Sequence, residues 1–470
     1  MKQMTDRTQI LESMPVGKAI RVLAVPTMVA MLIQVIYNMT DTFFIGKLED
    51  ANMVAAISLC MPIFMLVQAF GNIFAIGGAS LISRMLGEGN REKANHAASI
   101  SFWAATAFCT VAAIFGLIYM EPILRLCGAS ANTMGYSKSY LFVMLFGSPF
   151  MGMQMAMGGL LRSEGATRES MIGMMSGSIL NMLLDPIMIF ALHMNIAGAA
   201  LATVIGNIAG FGYYVTFYMR KKGILSVGFS NFSLQGWYYG EIFKIGIPAS
   251  LGMMLMSIGG IIGNVFAAGF GDAVVAANGV VMRATSITFM LVFGLAQGCQ
   301  PLMGYSYGAG NYKRLFETVR RAVITGSIMC ICFAVTFYSF ADIWIRVFIV
   351  DEAVISYGIR IMHVLSYTMP LLGLQMILMM MFQSLGKSVQ SLVISIGRQG
   401  LFFIPSLILF SRLWGFNGFI FAQPFSDFLT TALSFTLFLL MRKKMKQTMI
   451  DTQASMITPE TMAAGMSSDH

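Results

Sequence analysis

Charge is scarce in this chain. Only 11% of its 470 residues are Asp, Glu, Lys or Arg, against about 25% in soluble domains, which excludes an ordinary soluble core. Histidine is scarcer still, with 4 in all. No HExxH, GxSxG or histidine cluster is present to do hydrolytic chemistry, so an intramembrane enzyme is the weakest reading. ATP-driven pumping fares no better, because "SLGKS" (384–388) has Met381 where the first glycine of a P-loop belongs. The 6 cysteines (Cys60, Cys109, Cys127, Cys299, Cys330 and Cys332) form no CxxC and no ligand-spaced set. Most lie in apolar runs, where a free cysteine behaves as a small hydrophobe. No disulfide framework and no cofactor is expected. The N-terminal stretch mixes acids and bases and offers no small-residue cleavage site, so it reads as a cytoplasmic leader rather than a signal peptide.

Apolar sequence is what the chain has. It is 57% hydrophobic with a mean hydropathy of +0.74. Runs of about 20 residues, each long enough to cross a hydrocarbon core of about 30 Å, recur along it. Twelve spans are expected near 17–45, 52–86, 94–119, 133–162, 168–192, 197–220, 239–268, 275–306, 314–339, 353–384, 388–411 and 416–441. With both termini cytoplasmic, the inner segments collect most of the Lys and Arg, among them Arg84, Arg91, Lys93, Arg220, Lys222, Arg314 and Arg442. That is the positive-inside pattern. The net charge of +9 therefore reports topology and not a nucleic-acid partner.

The halves repeat. "LAVPTMVAMLIQ" (23–34) aligns with "IGIPASLGMMLM" (245–256), placing Pro26 over Pro248. "LGEGNREKA" (86–94) lies over "YGAGNYKRL" (307–315), "GSPFMGMQ" (147–154) over "SYTMPLLGLQ" (366–375), and "RSEGATRES" (162–170) over "QSLGKSVQS" (383–391). The fold class is thus an all-α integral membrane protein, a duplicated six-helix bundle. An even number of spans per copy makes the repeats parallel, an arrangement that sets a cavity between two lobes able to rock about it. The expected organisation is a leader (1–16), a first lobe (17–220), a cytoplasmic linker (221–238), a second lobe (239–441) and a basic, then disordered tail (442–470).

Two acids stand out. "QVIYNMTDTFFIGK" (34–47) closes a membrane span yet holds Asp41, and "SILNMLLDPIMIF" (178–190) holds Asp185. A carboxylate at the centre of a span costs about 2.5–3.5 kcal/mol on insertion scales. Asn181 and Asp185 share a helix face at i and i+4. Thr203 reaches the same depth in the outer half of the membrane, and Asn38 and Thr40 flank Asp41. In the repeat Asp41 falls over Gly263 and Asp185 over Ser406. A purely architectural role would keep counterparts, so the acids read as functional. Carboxylates, an amide and a hydroxyl in a low-dielectric bundle suit a cation, either H+ or Na+. Pro26 and Pro186 give both acid-bearing helices a place to bend. This is the candidate coupling site, with Na+ as the one metal ion that Asp41, Asn181, Asp185 and Thr203 would hold.

Candidate substrate or gating residues are Gln34, Asn38 and Met155, with Arg283, Arg398 and Asp427 near the middle of later spans. A buried Arg–Asp pair in the second lobe also satisfies itself with no transport role. Methionine-rich runs, "MGMQMAMGG" (151–159) and "MILMMMFQ" (376–383), occupy equivalent places in the two copies. Adaptable thioether surfaces of this kind suit varied apolar organic molecules.

The duplicated six-helix halves, Pro26 followed by Asp41 in the first span, and "NMLLDP" (181–186) with the later "GAALAT" (198–203) resemble the MATE (multidrug and toxic compound extrusion) family. The likeness covers about residues 15–440 and looks closest to the DinF-like and MepA-like bacterial branch. It implies a V-shaped, two-lobed antiporter of the bacterial inner membrane that exports small amphipathic organic cations in exchange for Na+ or H+. Carried over, the cation site of that branch is Asp41, Asn181, Asp185 and Thr203, with Pro26 at a bend in the first helix. The acids that the NorM-like branch carries in spans 7 and 10 have no counterpart here. A monomer in the lipid bilayer is expected. A flippase for lipid-linked saccharides is the alternative, but such anionic substrates call for basic lobe linings.

Overall fold

A computed structural model describes residues 2–48, 50–220 and 222–456, with the side chains of 2–6 and 448–456 left aside. Lys221 and the tail beyond Met456 lie outside the described residues. The first half contains α1 (Lys2–Glu12), α2 (Val16–Gly46), α3 (Ala51–Gly87), α4 (Arg91–Ile118), α5 (Met120–Leu126), α6 (Ala131–Ser163), α7 (Thr167–Pro186) and α8 (Asn195–Met219). The second contains α9 (Gly236–Ala268), α10 (Asp272–Gly308), α11 (Tyr312–Ser339), α12 (Ala341–Arg346), α13 (Glu352–Ser384), α14 (Ser388–Ile396) and α15 (Ile404–Met456). Short π-helical stretches, Ile187–Ala191 and Gly397–Phe403, follow α7 and α14.

Among the described residues eleven helices are long and apolar enough to cross a membrane. The eleventh, Ser388–Gln447, has 60 residues, about 90 Å of helix at 1.5 Å per residue, far more than one crossing needs. It breaks at Gly415, whose φ of 56° lies in the left-handed region. Gly418 packs back against the Phe410 carbonyl, and the Phe410 and Phe425 rings meet at 5.1 Å. The chain reverses there, which makes twelve crossings.

The duplication is visible in local chemistry. Gly89 (φ 74°) and Gly310 (φ 66°) make the same turn in the two copies. Each is followed by an asparagine whose Oδ1 accepts an N–H of the next helix at 3.0 Å, Asn90 from Lys93 and Asn311 from Arg314, an N-cap that ends the loop and starts the helix.

At the end rich in basic residues, the halves interlock by glycine. Gly87 lies against the Tyr305 carbonyl and Gly308 against the Arg84 carbonyl, and Ser80 Oγ donates to the Gln383 carbonyl at 2.5 Å. Missing side chains let backbones approach closely, as helix packing in lipid requires.

The N-terminal stretch does more than lead into the first span. Arg314 of α11 donates to the carbonyls of Ile10, Leu11 and Met14 at 3.1, 3.0 and 2.7 Å. Arg7 of α1 donates to the Lys222 carbonyl at 2.7 Å and pairs with Glu169 at 3.2 Å. Helix α1 therefore ties the second half to the first.

Candidate functional site

The first half brings Asn181, Asp185 and Thr203 together. Gly177 of α7 and Gly206 of α8 set the approach: a Cβ on either would lie 2.6 or 2.7 Å from the other's carbonyl oxygen. With the helices that close, Asn181 Nδ2 donates to Thr203 Oγ1 at 3.1 Å, and Thr203 Oγ1 donates back to the Ala199 carbonyl at 3.1 Å. Asn181 is 2% exposed and Asp185 0%. Asn181 Oδ1 and both carboxylate oxygens of Asp185 have no hydrogen-bond partner. Buried polar atoms are satisfied in the great majority of cases, and three unpartnered oxygens side by side are able to accept a proton or a cation. The donor set is all oxygen and suits Na+. Among the described residues no cluster of three or more His, Cys, Asp or Glu offers a transition-metal site.

Asp41 approaches from α2. It is half-buried and close enough to Asp185 for the two carboxyls to interact electrostatically. Two tyrosines complete the surroundings, and sequence reasoning missed both. Tyr37 lies beside Thr203 and within electrostatic reach of both acids, and Tyr140 of α6 is within reach of both acids and Tyr37. Tyr37 was available as the i−4 neighbour of Asp41 on the same helix face. Tyr140 lies on another helix, and no local pattern announces it.

Neither proline has an N–H to donate to its helix. Pro26 leaves the Val22 carbonyl without its helical donor, and Thr167 Oγ1 of α7 reaches that oxygen at 3.4 Å. The α2 helix continues through the proline and is stitched to α7 there. Pro186 ends α7 directly after Asp185, where the backbone passes into the π-helical stretch Ile187–Ala191. Such bulges occur often at functional sites.

Other candidates fall elsewhere. Gln34 Nε2 donates to Asn38 Oδ1 at 3.3 Å on an exposed face of α2, and Thr40 bonds the Ile36 carbonyl of its own helix. Met155 packs its sulfur against Gly71 of α3. In the second half Arg398 and Asp427 form an ion pair at 2.9 Å. Arg283 is exposed and joins no ion pair among the described residues, so it takes no part in the buried pair. His363 Nε2 meets the Tyr338 carbonyl at 3.0 Å, a satisfied polar contact.

The MatE family model matches residues 26–187 and 248–408, one stretch in each half. Over 441 residues the chain is 30% identical to the multidrug export protein MepA of Staphylococcus aureus (strain NCTC 8325 / PS 47), covering 94% of this chain and 97% of that protein. MepA of Staphylococcus saprophyticus is likewise 30% identical over 442 residues, with the same coverage. Among solved structures, a multidrug resistance MATE family transporter of the MOP superfamily, in an outward-facing conformation, superposes with a TM-score of 0.89. That match has 24% identity over 94% of this chain and 98% of the other, and it establishes the fold.

Proposed function

This chain belongs to the MATE family of transporters and is not an enzyme, and from that membership we propose that it exports amphipathic, mostly cationic organic compounds in exchange for H+ or Na+. One observation carries the reading: Asp185 is wholly buried with both carboxylate oxygens unpartnered, beside the unpartnered Asn181 Oδ1. A bare buried carboxylate is expensive, and binding a proton or Na+ removes most of that cost. The relatives' description as multidrug export proteins supports the substrate class.

In this reading the two acids hold the coupling ion, with Asn181, Thr203 and Tyr37 fixing the oxygens around it. A ligand shifts the balance between conformations only by binding them unequally. The ion therefore favours the form in which α2 and α7 close on the nook, and the drug favours the form with the acids free. Pro26 and Pro186 supply the bending points. The single chain, which holds both lobes, acts as a monomer in the bacterial inner membrane with both termini in the cytoplasm. A flippase for polyanionic substrates would need several unpaired basic residues lining the lobes, whereas Arg398 shares its corner with Asp427 and Arg283 is exposed.

Efflux of a cationic dye from proteoliposomes, with Na+ and pH gradients imposed separately, tests the proposal. Efflux should follow one gradient and ignore the other. Efflux indifferent to both would overturn ion coupling.

A further inference from the structure

The second half holds a cavity of about 310 Å³, within the range of small-molecule sites. Helices α9, α10, α13 and α15 and the π-helical stretch Gly397–Phe403 enclose it. Its walls are methionine and phenylalanine, chiefly Met256, Met282, Met369, Phe289 and Phe403, and its polar corner is the Arg398–Asp427 pair.

The repeat gives this corner a counterpart in the first lobe. Arg398 falls over Gly177 in the alignment of the two copies. In the first lobe Gly206 packs against the Gly177 carbonyl. In the second, Ser426 Oγ donates to the Arg398 carbonyl. The two crossings are the same joint, closed by two glycines in one lobe and carrying a guanidinium in the other. The backbone differs too, regular helix around Gly177 and π-helical around Arg398.

The pair is only half used by the protein. Arg398 Nε donates to Asp427 Oδ1 at 2.9 Å, and Gln423 Nε2 donates to the same oxygen at 3.0 Å. Arg398 Nη1 and Nη2 make no hydrogen bond among the described residues, and neither does Asp427 Oδ2. A guanidinium edge with two nitrogens open is a ready fork for a carboxylate. The Phe289 ring, 5.7 Å from Arg398 Cζ, backs the group on one side.

We propose that this cavity is a second binding site, for an amphipathic organic molecule that carries a carboxylate beside a cationic group. Arg398 Nη1 and Nη2 take the carboxylate, Asp427 Oδ2 takes the cation, and the methionine and phenylalanine walls take the apolar body. The net neutrality of the corner matches a zwitterion, and the acids of the first lobe are not needed to bind it.

Binding of a fluorescent xanthene dye as its free carboxylate and as its methyl ester, read by polarization on the purified full chain, tests this. Arg398→Gln should weaken the carboxylate dye about tenfold or more, as loss of a charged hydrogen bond does, and leave the ester unchanged. Gly260 lines the cavity, and a Cβ there meets nothing within 4 Å. Gly260→Phe therefore fills the space while keeping the ion pair, and should remove carboxylate-dye binding even if Arg398→Gln fails to fold. Asp185→Asn should leave carboxylate-dye binding intact, which separates this proposal from ion coupling in the first lobe. Full carboxylate-dye affinity in both second-lobe variants, equal loss of both dyes in Arg398→Gln, or loss on Asp185→Asn would overturn it.

Discussion

Gly304 packs directly against Ser83, the residue it superposes on in the repeat, so the two-fold axis of the duplication passes between them. The contacts on either side obey the same symmetry. Gly87 meets residue 305 and Gly308 meets residue 84, the exchanged pair. A parallel repeat needs an axis along the membrane normal, and this contact marks where it emerges among the basic residues.

The symmetry makes a packing prediction. A Cβ at Gly87 or Gly308 runs into a backbone carbonyl of the other half, which cannot swing aside as a side chain can. Gly87→Ala or Gly308→Ala should cost about 1–3 kcal/mol, seen as a lower melting temperature in detergent. Gly212→Ala, where a Cβ meets nothing within 4 Å, should lose no stability.

The α1 tether makes another. Arg314 holds three carbonyls of the α1 end, and hydrogen bonds to a charged group contribute about 1.5–3 kcal/mol. Arg314→Gln should speed amide exchange in α1 about tenfold or more, with the spanning helices unaffected. Unchanged α1 protection would contradict the tether.

Glu164, in the loop between α6 and α7, predicts a pH effect. Complete burial raises its carboxyl to about 7, opposed by the Leu225 and Ile224 amides and by Arg7, whose Nη1 lies 3.7 Å away. The folded chain therefore holds the proton more tightly than the unfolded one. The stability this brings is full below the ordinary glutamate range and is lost as pH rises to about 7. Wild type should melt lower at pH 8 than at pH 5, and Glu164→Gln should flatten that difference.

The twelve spans, the duplication and the acid-bearing first lobe were legible because each is a matter of period or composition: apolar length, a repeated Gly-Asn turn, and carboxylates in apolar runs. Asp41, Asn181, Asp185 and Thr203 could be named as candidates from helix-face geometry and family likeness, and of these the structure joins Asn181 to Thr203 by a hydrogen bond. Tyr140, the docking of α1 and the second-lobe cavity could not. Tyr140 and α1 depend on contacts between residues far apart in sequence. The cavity depends on a π-helical stretch that turns Arg398 into the lobe, and period alone does not announce such a stretch. Arg283 and Arg398 look alike in the sequence, yet among the described residues only Arg398 of the two joins an ion pair, because Asp427 arrives from the helix beyond the Gly415 reversal.

Ion-driven dye efflux by Asp185→Asn in proteoliposomes, set beside wild type at equal insertion, tests the central claim most directly. An amide of the same shape cannot take up a proton or balance Na+, so gradient-driven efflux should fall to the level of empty liposomes while the protein still folds and binds dye. Efflux at the wild-type rate would contradict the assignment of this buried carboxylate as the seat of coupling.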